Sequence, residues 1–406
     1  MVLTGAFGRW LGGKLSPSPA IRLQKRQRKH PPRRIPGDWG KWSYEFVESR
    51  LPVATREAFE SGRAVIGEVG IAEPGAFVQE IGDGYLIEVF TGLPEFFYSI
   101  SRAIHSQARF HPADATSPET LEPVDLDRTV AAIETILRTY ERTRKVAKPA
   151  GYPISKEQKE FASALTDHAV AFLVAHEIGH VQIWETSPDA PRRSTPEFEL
   201  KADEIALTIV LGMLGEQPLR IRRMAYAGAE FAVRVFAGLE HLGVRFDQDT
   251  HPLPTDRLEA IRAAALKLCG SRRQYVRLIP PATTYDQFLE ELERRIAGPQ
   301  KADFVVGPNP DRLLSFIASL IEQRAKGGIT ELFAIAQLEI GFAASPFDNV
   351  RRAVAEAAHM FLIEAFAEDP NGLAMVEAAE FGKVADRISE PWHSIFDQAL
   401  IATIGG

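Results

Sequence analysis

The feature that most constrains this chain is the segment from Lys156 to about Trp184, which reads as one long helix. Ser155 is placed to cap it and Gln158, three residues on, completes a capping box. The run Ala169 to Ala175 is apolar, as expected where a helix is buried behind a site. That run leads directly into His176-Glu177-Ile178-Gly179-His180. Gly179 leaves room for a neighbouring element to approach closely.

Side chains four residues apart on a helix stack one turn above each other, so both imidazoles leave the same face. Their nitrogens can meet one ion at roughly 2.0–2.1 Å, the usual distance for zinc and histidine. Glu177 stands beside them and is suited to take a proton from water activated at such an ion. A catalytic zinc site needs a third protein ligand. Glu199 is the best candidate, on a second helix that Thr195 caps and Pro196 opens; Glu197, in the first turn, is the alternative. Asp203 lies one turn beyond Glu199 and can hold the second ring nitrogen of a ligand histidine. Further on come Thr250-His251-Pro252 and then Arg257. His251 is placed to donate to a developing oxyanion; Arg257 either does likewise or locks its loop against the histidine-bearing helix.

Composition narrows the classes. The net charge of -7 and the pI near 5.9 exclude an overall basic field for nucleic acid. One cysteine, Cys269, excludes an internal disulfide and a cysteine-rich structural zinc site, so a metal must be held by histidine and carboxylate. No apolar run reaches the ~18 residues of a membrane span. The expectation is a soluble, cytoplasmic chain.

Three regions are expected. Residues 1–37 hold nine Lys/Arg and no acid, and read as a disordered basic tail, the one place where nucleic acid is a conceivable partner. Residues 38–295 read as the main domain. Within it, Ala64–Val69, Ala76–Ile81 and Tyr85–Phe90, with a turn at Gly82-Asp83-Gly84, suggest a small antiparallel sheet. Helices follow over Leu93–Phe110, Asp127–Val146 and the regions ending near Gly215, Gly243 and Gly270. After a Gly/Pro-containing linker, residues 309–406 read as a helical C-terminal region. The fold class is α+β, mostly helical, with Tyr85–Phe90 the expected edge strand for an extended peptide substrate.

The order of these motifs resembles the gluzincin metallopeptidases related to HtpX and the CAAX prenyl endopeptidases. The likeness covers roughly residues 155–270. It implies a zincin-like core binding one zinc ion at His176, His180 and Glu199, Glu177 as base, and auxiliary roles for Asp203, His251 and Arg257. Many of those relatives are membrane proteins, and this chain lacks their spans. The first two motifs also resemble the ImmA/IrrE peptidases, and Gly84–Ile104 resembles the Lit-type phage-exclusion peptidases. The expected activity is zinc-dependent hydrolysis of a protein or peptide. The alternative is a silent regulatory protein on the same scaffold, which would have no use for Glu177.

Overall fold

The computed structural model describes residues 18–32, 47–48, 51–111, 120–123, 125–146, 154–187, 195–211, 218–244 and 252–297. The chain divides into two units. The first comprises Met1–Arg109, Pro123–Leu268 and Thr284–Val306; the second comprises Phe110–Glu122, Cys269–Thr283 and Gly307–Gly406. The C-terminal region 309–406 falls outside the described residues, as do His251 and most of the expected linker.

In the first unit, helix α1 (Pro19–Lys29) and helix α2 (Val53–Glu60) precede strands β1 (Ala64–Val69), β2 (Ala76–Ile81) and β3 (Gly84–Phe90). Helices α3 (Gly92–Ser106), α4 (Leu126–Thr143), α5 (Lys156–Thr186), α6 (Pro196–Leu211) and α7 (Leu219–His241) follow, then all but the last residue of α8 (Pro254–Cys269) and all but the first turn of α10 (Pro280–Ala297). A short strand pair, β4 (Ala108–His111) and β5 (Thr120–Pro123), and helix α9 (Arg272–Leu278) complete the described elements. No helix among the described residues is long and apolar enough to cross a membrane.

The α+β class and the helical majority agree with the sequence. The strand directions do not. The sheet is mixed, in the order β1-β3-β2, with β1 parallel to β3 and β2 antiparallel to it. Alternation of apolar residues is the same in either direction, so it carries no information on strand sense. The six residues 70–75 carry the chain from one edge to the other, and β2 then turns back through the Gly82-Asp83 hairpin to fill the middle. Tyr85–Phe90 is therefore the central strand, buried along its whole length, and β2, beside α5, is an edge with no further strand among the described residues.

Residues 1–37 were expected to be a tail, yet 19–29 form a helix seated on the sheet. Ser18 caps it, with Pro19 in the first turn and Arg26, Arg28 and Lys29 in the last, where the helix dipole favours cations. Leu23 packs among Val69, Leu86 and Phe90. Arg26 grips the buried Glu88 with two nitrogens, at 2.8 and 3.1 Å, and Gln27 donates to the carbonyl of Glu68 at 2.9 Å. The chain beyond the helix lies so close that a Cβ on Gly70 would sit 1.9 Å from the carbonyl oxygen of Pro31. Only glycine fits there.

Helix α5 is the axis of the unit. It packs against α3, α6, α7 and the strands β2 and β3, which explains an apolar middle with no solvent face. The expected capping box is present at its start: Ser155 and Gln158 exchange bonds of 2.8 and 3.1 Å. Aromatic rings close the core around it, Phe97 against Phe231 and Phe96 against Tyr140.

Candidate metal centre and active site

Helices α5 and α6 bring the site together. Gly179 is where they meet: a Cβ there would lie 3.0 Å from the carbonyl oxygen and 3.2 Å from the Cα of Ala202. At this separation the carboxylates of α6 reach the imidazoles of α5. His176 Nε2 lies 3.0 Å from Glu199 Oε2, His180 Nε2 3.5 Å from Glu199 Oε1, and the two Nε2 atoms are 3.2 Å apart. All three side chains are buried, and one donor atom from each falls within 4.8 Å of the others. Donors about 2 Å from a shared ion in tetrahedral array stand roughly 3.3 Å from one another, so these spacings fit a small divalent cation. Two buried imidazole nitrogens face to face beside a carboxylate are the donor set of such a site. Glu197, the alternative third ligand, is exposed.

A second ring of contacts surrounds the cluster. Asp203 Oδ1 lies 2.8 Å from His176 Nδ1, leaving Nε2 as the nitrogen turned toward His180 and Glu199. Arg257 donates from Nε and one Nη to the two oxygens of Asp203, both at 2.7 Å. Arg257 was expected either to serve an oxyanion or to lock its loop against the histidine-bearing helix; its side chain lies instead on Asp203 of α6. Its fork is occupied by a fully buried carboxylate, tying the start of α8 to α6.

Electrostatics follow from these contacts. Burial works against the His176 imidazolium, but Asp203 and Glu199 outweigh it and hold the pKa up at about 10. Burial works against the Asp203 carboxylate as well, and Arg257 overrides it, bringing the pKa to about 2. Glu199 is held below the usual carboxylate range: the two histidines overcome its burial. Glu177 is raised, chiefly by burial. Its Oε2 accepts the main-chain N–H of Val78 at 2.8 Å, so the carboxylate sits between the cluster and edge strand β2.

Sequence reasoning did not single out two participants. Val78 contributes only its backbone, which no residue pattern announces. Trp184 stacks on His180 with ring centroids 5.9 Å apart, and Tyr85 stacks on Trp184 at 5.7 Å. The signal for Trp184 was present: it follows His180 by four residues, on the same face. His168 packs against α7, where a Cβ on Gly228 would meet its Cβ at 2.7 Å. His105 is a buried residue of α3, remote in role from the cluster.

The cluster is thus a buried two-histidine, one-carboxylate group, set between two helices, that could hold a metal ion. In comparison with known families, residues 96–270 match the family Peptidase U49, a stretch that runs from α3 into α8 and contains every candidate residue named above on α5, α6 and α8. No curated protein and no solved structure matches the chain. Helix α1 and strands β1 to β3 lie before the matched stretch.

Proposed function

We propose that this chain is a zinc-dependent endopeptidase of gluzincin type, with His176, His180 and Glu199 as ligands and Glu177 as general base. The observation that carries the reading is the position of Glu177. It borders a buried two-histidine, one-carboxylate cluster and contacts the edge strand β2. A zinc ion bound there supplies Lewis acidity toward a carbonyl and lowers the pKa of water.

The chain's own groups do the rest. Asp203 accepts the Nδ1 proton of His176, so Nε2 is the nitrogen that would exchange its proton for a metal ion. Arg257 keeps Asp203 ionised for that purpose. Glu177, raised by burial, takes a proton from the attacking water and returns it to the leaving amine. An extended substrate lies along β2 rather than along the central strand. The amide of Val78 faces Glu177, and by the two-residue period of a strand those of Ala76 and Glu80 share that edge. The substrate would thus be a peptide segment able to become extended.

The test compares wild type with Glu177→Gln, expressed in the native host, by a proteome-wide search for new protein N-termini. The variant removes proton transfer but no ligand, so it is expected to keep its metal and its melting temperature while the new termini disappear. Identical sets of termini in the two strains would overturn the reading.

A further inference from the structure

His176, His180 and Trp184 form one stripe along α5 at four-residue spacing. The two histidines are restrained in different ways. His176 is gripped at Nδ1 by Asp203. For His180 no carboxylate or carbonyl at Nδ1 is found among the described residues; beyond the cluster, the contact its ring makes is with the face of Trp184, at an interplanar angle of 26°. Tyr85 of β3 backs the indole at 20°, and both aromatic rings are buried. Next to this stack, Arg63, the residue before β1, grips Glu185 with two nitrogens, at 2.8 and 2.6 Å, and accepts the N–H of Tyr85 on its carbonyl.

The torsion that turns an imidazole about its Cβ–Cγ bond has a broad energy profile, so a ligand histidine needs something outside it to fix the ring plane. A hydrogen bond at Nδ1 is the common device, and its loss typically costs 10–100-fold in metal affinity. We infer that Trp184 is the positioning residue for His180: its indole face, backed by Tyr85, sets the ring plane that aims Nε2 at the ion. The central strand thereby shapes the metal centre without supplying a ligand. This rests on the metal site proposed above.

The experiment uses the full chain, stripped with a chelator and titrated with Zn(II) and with Co(II), whose visible absorption reports ligand geometry. Trp184→Phe keeps a flat face and is expected to stay within about threefold of wild-type affinity, with the same Co(II) band. Trp184→Leu fills space without a face and is expected to bind at least roughly tenfold more weakly, with a shifted band. Val130→Ala, in the core on α4, controls for general loosening; it should lower the melting temperature and leave affinity unchanged. Co(II) should also quench the emission of Trp184, isolated as the difference between wild type and Trp184→Phe. Wild-type affinity and spectrum in Trp184→Leu would overturn the inference. If that variant fails to fold, unquenched emission of Trp184 in the Co(II)-loaded wild type overturns it equally. A wild type that binds neither metal refutes the metal site itself, and the inference with it.

Discussion

At the level of single residues, the third ligand and the second ring of contacts make separable claims. Glu199 is buried against both histidines and Glu197 is exposed two residues away. Glu199→Ala is expected to lose most of the bound zinc and Glu197→Ala to retain it, read by elemental analysis of purified protein. Full zinc in Glu199→Ala would move the ligand elsewhere. Arg257 is a different case, since it touches Asp203 rather than the cluster. Removing one partner of a buried ion pair leaves the other charge without compensation and costs about 3–5 kcal/mol. Arg257→Gln is therefore expected to lower stability by that order in denaturant unfolding and also to weaken metal binding, because Asp203 loses the charge that keeps it ionised. Unchanged unfolding would show that the fork contributes nothing.

Among the elements, α1 departs most from what its composition suggests. A basic stretch with few apolar residues looks unfit to pack, but one leucine, one arginine and the glycines of the sheet suffice when the sheet presents a buried carboxylate. The Arg26–Glu88 pair joins residues far apart in the chain, and Leu23 closes the outer face of β1 and β3. Deleting residues 1–32 exposes that face and strands Glu88, so the melting temperature is expected to fall by several degrees or more. Leu23→Ala alone should cost about 2–3 kcal/mol, toward the low end of the range for buried leucines. An unaltered melting temperature after the deletion would mean that the helix does not hold the sheet. The exposed face of α1 still carries Arg22, Lys25, Arg28 and Lys29, so the basic character read from the sequence persists on a folded element.

For the whole molecule, His105 gives stability a predictable dependence on pH. It joins three helices: its Nδ1 bonds the carbonyl of Ser101 at 2.8 Å within α3, its Nε2 meets the Tyr285 hydroxyl of α10 at 3.2 Å, and its ring stacks on Phe161 of α5. Burial pushes its pKa down to about 4. Unfolded, the ordinary histidine value of about 6.5 applies. Between these values the unfolded chain binds more protons than the folded one. Stability thus falls as pH drops from about 6.5 to about 4, by at most about 3 kcal/mol from this group. Denaturant unfolding at pH 7 and pH 4.5 should show that loss in wild type and a smaller one in His105→Gln. Equal losses in the two proteins would mean that His105 does not carry the dependence.

What the sequence determined by itself lies within single helices. The spacing of His176, Glu177 and His180, the cap at Ser155, the gap at Gly179 and the shared face of Glu199 and Asp203 follow from 3.6 residues per turn, which holds wherever the helix lies. The residue that would contact a metal could be read in the same way. Tertiary structure alone decided every relation across the chain. It set the carboxylate of Glu199 against both histidines and left Glu197 exposed, and gave Arg257 to Asp203, which lies 54 residues earlier. It placed β3 between its neighbours and set the amide of Val78 against Glu177, 99 residues away. It folded α1 on a carboxylate that nothing near it in the sequence announces. Periodicity is a property of one element, whereas these pairings depend on which burial is most favourable once all the elements compete for the same core.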